Sequence, residues 1–488
     1  MTVHVAVDLG ATSGRVVIAD IDAAAGRFEL DEVHRFAHEP TAAADGEDLF
    51  WDVEHIWQEI GVGLRSAEQH ASRSGLSVAS VGVDSWAIDY GLLDDDGQLL
   101  DGVHCYRSPR FDGVMEAVIA QHGRSVIYDA TGIQFLPFNT VYQLVAQRHS
   151  PAHDTARRLL MLPDLVNHWL CGSTTVDVTN ASTTQLLDPV LRQWHDGLVA
   201  RLGLRRDLLP ELHEPGTRLG TIRVDAPALA GVAVVAVGSH DTASAFAGTP
   251  LTRPETSLVL SCGTWGLLGV ERAEAARGSA AMAANITNEL GVAGTVRVLK
   301  NVTGLWLLEQ CRRVWSGAGL DVPPDGFSAA ARHVPAGRAV IDPDDPALAK
   351  PGDMPRLIQA ACATRGQPVP VTPAETCRVV LDSLATAWRR AARDLSAVTG
   401  STFERMHAVG GGSQNTLLME LAASALDMPV VVGPTEATVV GNVMVQAMAM
   451  GTIPDLTAGR ELVTASMPGV TVAPCPILAH DGSSIWTP

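Results

Sequence analysis

The sequence predicts an α/β protein of two related lobes with a cleft between them, and three observations carry this expectation. A chain of 488 residues is longer than one hydrophobic core usually serves, and its 46% apolar content is ample for packed cores. Near the start, "VHVAVDLGATSGRVVIADID" sets two β-rich runs around a small-residue turn from Gly10 to Gly14, the pattern of a hairpin. A second version, "SLVLSCGTWGLLGVE" from Ser257 to Glu271, again reads strand, Gly/Thr turn, strand.

The remaining elements follow in order. After the first hairpin, "WDVEHIWQEIGVGLRSAEQHA" has helical periodicity, and "VASVGVDSWAIDYGLLD" reads as strands closed by the turn Asp94 to Gly97. The run "VAVVAV" at Val232 to Val237 is a strand that leads into "GSHDTASAF", a turn and a helix start. Beyond it "GTPLTRPET", Gly248 to Thr256, breaks the periodicity, which sets lobes of residues 1–245 and 246–488 and brings the cleft close to the opening motif. In the second lobe "RMHAVGGGSQNTLLMELAASALDMPVVV" is strand, glycine loop, helix and strand, an order suited to a parallel sheet. A further helix, "PTEATVVGNVMVQAMAMG", is stopped by Gly451.

Composition narrows the function classes. Acidic residues exceed basic ones by 54 to 35, a formal charge of -19, which argues against nucleic acid or an anionic membrane surface as partner. No apolar run reaches the roughly 18 to 20 residues that span a bilayer, and "MTVHVAVDLG" lacks the basic start and cleavage pattern of a secretory signal. Seven scattered cysteines have neither metal-ligand spacing nor the even count of a disulfide framework, so a reducing cytoplasm is expected. The sequence does not specify an oligomeric state.

Several motifs suit chemistry. In "DLGATSGR" a tight turn lets backbone N–H groups approach phosphate, Thr12 and Ser13 add hydroxyls, and Arg15 can hold phosphate charge. Asp8, ending the strand, could position a hydrated Mg²⁺ through water. An ordinary hairpin turn is the plainer alternative, and neither a Walker loop nor a dinucleotide fingerprint is present. Gly263 and Thr264 offer the same chemistry in the second hairpin, and "VGGGSQN", Val409 to Asn415, would allow a base or phosphate to approach a helix start. In "VGVDSWAIDY", Asp84, Trp86 and Asp89 suit a polyhydroxylated ligand, or else a half-buried strand with Trp86 in the core. Lys300 could reach phosphate from a strand end and Asn301 could bond a sugar hydroxyl. Asp241 either caps a helix or takes a proton from a substrate.

Read together, "AVDLGATSGR", "WDV", "GVDSWAIDYGLLD", "GIQFLPFNTVYQL", "MLPDLVNHWL", "TNASTTQLLD", "VAVGSHDTASA", "LSCGTWGLLG", "AANITNE", "RVLKNVTGLWLLEQ" and "VGGGSQNTLLMELAA" resemble the FGGY carbohydrate kinase family over nearly the whole chain. The resemblance is to its members that phosphorylate L-rhamnulose. It implies two lobes of the ribonuclease-H or actin-like ATPase type, the first mainly for sugar and the phosphate hairpin, the second mainly for nucleotide. It also implies ATP and Mg²⁺ as cofactors, and phosphoryl transfer to the 1-hydroxyl of L-rhamnulose. On that basis Ala11, Thr12, Ser13, Gly14, Arg15, Thr264 and Gly411 contact ATP, and Ala87, His240, Asp241, Thr242 and Asn301 contact the sugar. Asp241 is then the base, near its reference pKa of about 3.9 and ionised at neutral pH, and it also starts a helix.

Two positions depart from the family. Ala87 stands where a glycine contacts sugar, and Glu309 stands where a glutamine meets nucleotide, a carboxylate that repels phosphate unless a metal or arginine intervenes. Other outcomes stay open: a kinase for L-fuculose, xylulose or glycerol, an actin-like ATPase coupled to a partner, or a sugar-binding regulator without catalysis.

Overall fold

The computed structural model of the chain describes residues 2–43, 48–223, 229–320 and 324–475. Strands β1 (Thr2–Leu9) and β2 (Ser13–Asp22) form the first hairpin, and β3 (Arg27–Ala37) continues it antiparallel. Helix α1 (Val53–Arg73) starts where the Asp52 carboxylate accepts the His55 N–H, and it buries Ile56, Ile60, Leu64 and Ala67 at helical spacing. After it β4 (Ser77–Ser85) runs parallel to β1. Next come β5 (Arg218–Thr221), β6 (Ala233–Val235) and α2 (Asp241–Gly248). The second hairpin is β7 (Ser257–Cys262) and β8 (Trp265–Arg272), followed by β9 (Thr287–Leu290), β10 (Val296–Thr303) and α3 (Trp306–Gly317). Helix α4 (Pro373–Thr399) opens on a capping box of Thr372 and Glu375. The chain continues through β11 (Arg405–Val409), α5 (Thr416–Leu426), β12 (Val430–Val432), α6 (Ala437–Ala449), α7 (Leu456–Ser466) and β13 (Val470–Val472).

Two compact units result. Unit 1 holds the chain up to Thr252 together with Glu271–Val298 and Ala437–Pro468, and unit 2 holds Arg253–Val270, Leu299–Glu436 and the chain from Gly469. The sheet of unit 1 has the order β5-β6-β4-β1-β2-β3, and that of unit 2 contains β13-β12-β11-β7-β8-β10. These are the same plan. In each, an antiparallel hairpin gains a parallel neighbour on its first strand, β4 on β1 and β11 on β7. A second parallel strand and then an antiparallel one follow on that side, β6 and β5 in unit 1, β12 and β13 in unit 2. The expected pair of related α/β lobes is therefore present as a repeated strand order. The central strands are buried on both faces, which is why β1 and β7 read as near-continuous apolar runs.

In unit 1, α2 and α6 cross backbone against backbone. A Cβ on Gly441 would lie 1.8 Å from the Ser244 carbonyl oxygen, and one on Gly248 would lie 2.1 Å from that of Ala437. Arg460 of α7 closes the other end of α2. Its guanidinium donates to the carbonyl of Phe246 at 2.9 Å and forms a buried two-pronged pair with Glu271 at 2.8 and 2.7 Å. A cation on the last carbonyls of a helix is favourably placed. These contacts fix the axis of α2, and its first residue is Asp241.

Candidate active site

Three adjacent parallel strands of unit 1 each bring one carboxylate to the same edge. Asp8, the last residue but one of β1, is in register with Asp84, the last but one of β4. One strand further, Ser85 bridges to His240 beyond β6, so Asp241 follows at the same level. The carboxyl ends of parallel strands are where open α/β sheets bind ligands. Asp84 is fully buried, and burial, then the charges of Asp8 and Asp241, push its pKa well above the usual carboxylate range against the pull of the Asn442 amide. That amide donates to Asp84 Oδ2 at 2.6 Å, while Oδ1, buried, has no hydrogen-bond partner. Among the described residues no three His, Cys, Asp or Glu side chains are arranged to ligate a metal ion directly.

Asp241 is the outermost of the three, with its side chain 31% exposed against 8% for Asp8. It does not cap α2, contrary to expectation. The N-cap residue is His240, and Asp241 occupies the first helical position, where its Oδ1 accepts the Thr242 hydroxyl at 3.0 Å. Nor does it keep an ordinary pKa. Burial raises it, neighbouring His240 lowers it, and like-charged Asp8 raises it again, with a net upward shift. Thr242 itself is buried, as is His240.

The strand "VDSWAIDY" reads differently in three dimensions. Asp89 is wholly buried, so it does not face a ligand. Its Oδ2 accepts the indole N–H of Trp51 at 2.6 Å and of Trp86 at 2.9 Å, and its Oδ1 accepts the Gln143 amide at 3.0 Å. Burial lifts its pKa to about 6, against the pull of these donors. The two indoles pack at 4.4 Å between centroids and His38 stacks on Trp86 at 5.3 Å. Asp89 is thus the bracket of an aromatic wall, and Asp84 is the buried member of the acid triplet. Ala87 lies half-buried on the turn that follows Trp86. The next residue, Ile88, has φ 73°, an outlying conformation for a β-branched side chain, held by the Thr140 hydroxyl on its carbonyl at 2.7 Å.

Around the first hairpin, Ala11 and Ser13 are half-buried and Thr12 is exposed, with the turn closed by the Gly10 N–H on the Ser13 carbonyl at 2.9 Å. Gly14 has a packing reason of its own, since a Cβ there would lie 2.3 Å from the Phe36 ring. Arg15 sits directly across from Asp8 and donates Nε and Nη2 to its Oδ2 at 2.8 and 2.6 Å. The guanidinium therefore partly neutralises the carboxylate expected to hold a hydrated cation.

Unit 2 carries Thr264, Asn301 and Gly411. The Thr264 turn is bonded by its carbonyl to Gly304 N–H at 3.1 Å, and half-buried Asn301 lies on β10. The glycine loop forms a 3₁₀ turn, Gly411–Gln414, so it precedes the helix rather than starting it, and Asn415 caps α5. Gly410 needs its positive φ of 83°, and a Cβ on Gly412 would strike Cys262 at 2.6 Å. Gly411 alone of the three has nothing within 4 Å of that position. Lys300 pairs with Asp394 at 3.2 Å, and Glu309 is embraced by Arg312 at 2.8 and 2.7 Å, with Arg313 at 3.3 Å. Arginines thus intervene at the one carboxylate expected to repel phosphate.

Residues to which the sequence assigns no chemistry hold the His240–Asp241 turn. Asp177 Oδ1 accepts both the N–H and hydroxyl of Ser239, at 3.2 and 3.1 Å, and Thr179 Oγ1 accepts the His240 N–H at 3.3 Å. Asp177 pairs in register with His213, whose pKa burial lowers to about 4. The unfolded ring protonates near pH 6.5 and the folded one only near 4, so stability present above pH 6.5 is lost as pH falls toward 4. The expected loss from this group between pH 7.5 and 5 is about 2 kcal/mol. His213→Gln, which can keep the 2.8 Å bond to Thr175, should flatten the dependence by that amount in urea unfolding at the two pH values. Equal slopes in both proteins would refute it.

The comparisons with known proteins agree with this architecture. Models of the FGGY family of carbohydrate kinases match the chain, the N-terminal domain over residues 3–248 and the C-terminal domain over 258–450. A rhamnulokinase of Pectobacterium carotovorum subsp. carotovorum is 42% identical over 468 residues, spanning 95% of this chain and 91% of its own. A rhamnulokinase of Bacteroides thetaiotaomicron is 37% identical over 485 residues, spanning 98% and 97%. Among solved structures, ligand-bound xylulose kinase from Lactobacillus acidophilus superposes with a TM-score of 0.79 at 16% identity, covering 98% of this chain and 95% of that one. Xylulose kinase from Rhodospirillum rubrum gives 0.76 at 20% identity, covering 97% and 95%. Among the described residues no helix is long and apolar enough to cross a membrane. With both family domains matched and relatives of this identity aligned along nearly the whole sequence, the chain belongs to the FGGY family of carbohydrate kinases.

Proposed function

We propose that the protein transfers the γ-phosphoryl group of ATP to the 1-hydroxyl of L-rhamnulose, giving L-rhamnulose 1-phosphate and ADP, in the breakdown of L-rhamnose in the cytoplasm. The observation that carries the chemistry is the triplet of strand-end carboxylates, in which only Asp241 is substantially open to a ligand. Asp241 acts as the base: its carboxylate accepts the hydroxyl proton as that oxygen bonds to phosphorus and the bond to ADP breaks. Burial raises its pKa, which makes the carboxylate a stronger base than an exposed one. Substrate identity rests on the rhamnulokinase relatives. Ala87, His240, Asp241, Thr242 and Asn301 are the proposed sugar residues.

Ala11, Thr12, Ser13, Gly14, Arg15, Thr264 and Gly411 are the proposed nucleotide residues. The unfilled space at Gly411 supports its part, because no contact within the protein explains that glycine. Mg²⁺ fits the acid triplet as a hydrated ion held through water by Asp8, since repulsion among the carboxylates and the unpartnered Asp84 Oδ1 both favour a nearby cation. When bound, the ion neutralises charge on the phosphoryl oxygens.

The test is ADP release from MgATP with L-rhamnulose, L-fuculose, D-xylulose, glycerol or no sugar. Strong stimulation by L-rhamnulose alone is expected. Stimulation by a different sugar moves the substrate and makes Ala87 the first residue to vary. Turnover indifferent to sugar would overturn the kinase mechanism in favour of a partner-coupled ATPase.

A further inference from the structure

Behind His240 lies a buried ion pair, Arg297 with Glu289. Arg297 on β10 is wholly buried and Glu289 on β9 is 4% exposed. The guanidinium Nε and Nη2 donate to the Leu290 carbonyl at 3.2 and 3.0 Å, and Nη1 lies 3.1 Å from Glu289 Oε2. Burial would raise the Glu289 pKa, and the Arg297 guanidinium 3.1 Å away pulls it the other way, to below the usual range. Such a pair has a high desolvation cost, and an apolar pair of similar volume would often be no less stable there. What the charge provides is direction. Nη1 and Nη2 are each 3.2 Å from His240 Nδ1.

A guanidinium has donors and no acceptor. Nδ1 must therefore present its lone pair, which leaves the ring proton on Nε2, and Nε2 is 3.4 Å from Asp241 Oδ1. Glu289 Oε2 stands 3.3 Å from the same Nδ1. Were Arg297 absent, that carboxylate would favour a proton on Nδ1, and the lone pair of Nε2 would then face the Asp241 carboxylate.

We infer that Arg297, charge-balanced by Glu289, is a positioning residue that locks His240 in its Nε2–H tautomer and so keeps a hydrogen-bond donor turned toward Asp241. The donor steadies Oδ1, which already holds the Thr242 hydroxyl, and leaves Oδ2 to meet the proton of the acceptor hydroxyl. The catalytic consequence rests on Asp241 being the base, as proposed above; the tautomer does not.

The full chain with ¹⁵N-labelled histidine, without sugar or nucleotide, tests the tautomer by long-range ¹H–¹⁵N spectra, with the His240 ring identified as the signal lost in His240→Gln. Nδ1 is expected at the shift of an unprotonated ring nitrogen and Nε2 at that of a protonated one. A proton on Nδ1 would overturn the inference, whatever the enzyme phosphorylates. In kinetics, Arg297→Met should lower kcat about a hundredfold with the sugar KM changed only a few-fold, as expected of a misplaced base. Arg297→Lys should recover part of that loss. If the single variant does not fold, Arg297→Met with Glu289→Gln keeps the site neutral and should show the same kcat loss together with a redistributed ring proton. A folded double variant with wild-type kcat and an unchanged tautomer would refute the role.

Discussion

Asp241→Asn should fold normally, melt at or above the wild-type temperature, and turn over L-rhamnulose 10² to 10⁴ times more slowly, the range for removing a general base. The two halves of this expectation have one cause. The folded-state pKa of Asp241 is raised, chiefly by burial and by the charge of Asp8. A carboxylate with a raised folded pKa favours folding only while protonated, and that contribution is lost as pH rises through the folded value. Above its folded pKa the ionised group therefore burdens the fold, and a neutral amide of the same shape relieves it. The amide can still accept the Thr242 hydroxyl, and it occupies the first helical position rather than the cap, so no capping bond is at stake. It cannot take a proton. Because positioning and charge neutralisation supply most of the acceleration in phosphoryl transfer, turnover falls without vanishing. Steady-state rates and thermal melts of the two proteins suffice. A variant within a few-fold of wild-type kcat would make Asp241 a structural residue and remove the basis of the mechanism.

Much of the fold and part of the site were legible because they are local in sequence. A hairpin with small residues at its turn announces itself within twenty residues, and the turn "GSHDT" after an apolar strand marks a strand end and a helix start together. What escaped is non-local. Asp89 looked like a sugar ligand because nothing near it shows that Trp51, 38 positions away, aims an indole N–H at it. Asp84 is defined by Asn442, which is 358 residues distant, and Ser80 by Gln446, at 366. The orienting pair Glu289 and Arg297 lies in stretches that resemble the family without showing why, and only the return of the chain to His240 explains them. Spacing in a sequence can locate a strand end; which carboxylate there remains open to a ligand is decided by burial.

Gly441→Ala should be the most damaging of the small substitutions. In an exposed helix this change is stabilising by up to about 1 kcal/mol, and Gly61→Ala in α1, where a new Cβ meets only the flexible end of Arg65 at 3.4 Å, should show that gain. At Gly441 the new atom would lie 1.8 Å from the Ser244 carbonyl oxygen, 2.6 Å from its carbon and 2.8 Å from the Gly248 nitrogen. These are backbone atoms of α2, so no side chain can rotate aside, and the two helices must separate. Overpacking of a fixed core costs about 1–3 kcal/mol and sometimes more, which outweighs the propensity gain, so a net loss of about 2 kcal/mol or more is expected in urea unfolding. Function should suffer beyond stability. Asn442, the next residue, holds Asp84, Gln446 one turn on holds β1 and β4 through Val5 and Ser80, and α2 itself carries Asp241. Pushing α2 from α6 therefore moves two members of the acid triplet relative to each other, and kcat should fall even at temperatures where the variant is fully folded. Equal stability of the Gly441→Ala and wild-type proteins would mean that the crossing is looser than the backbone contacts require.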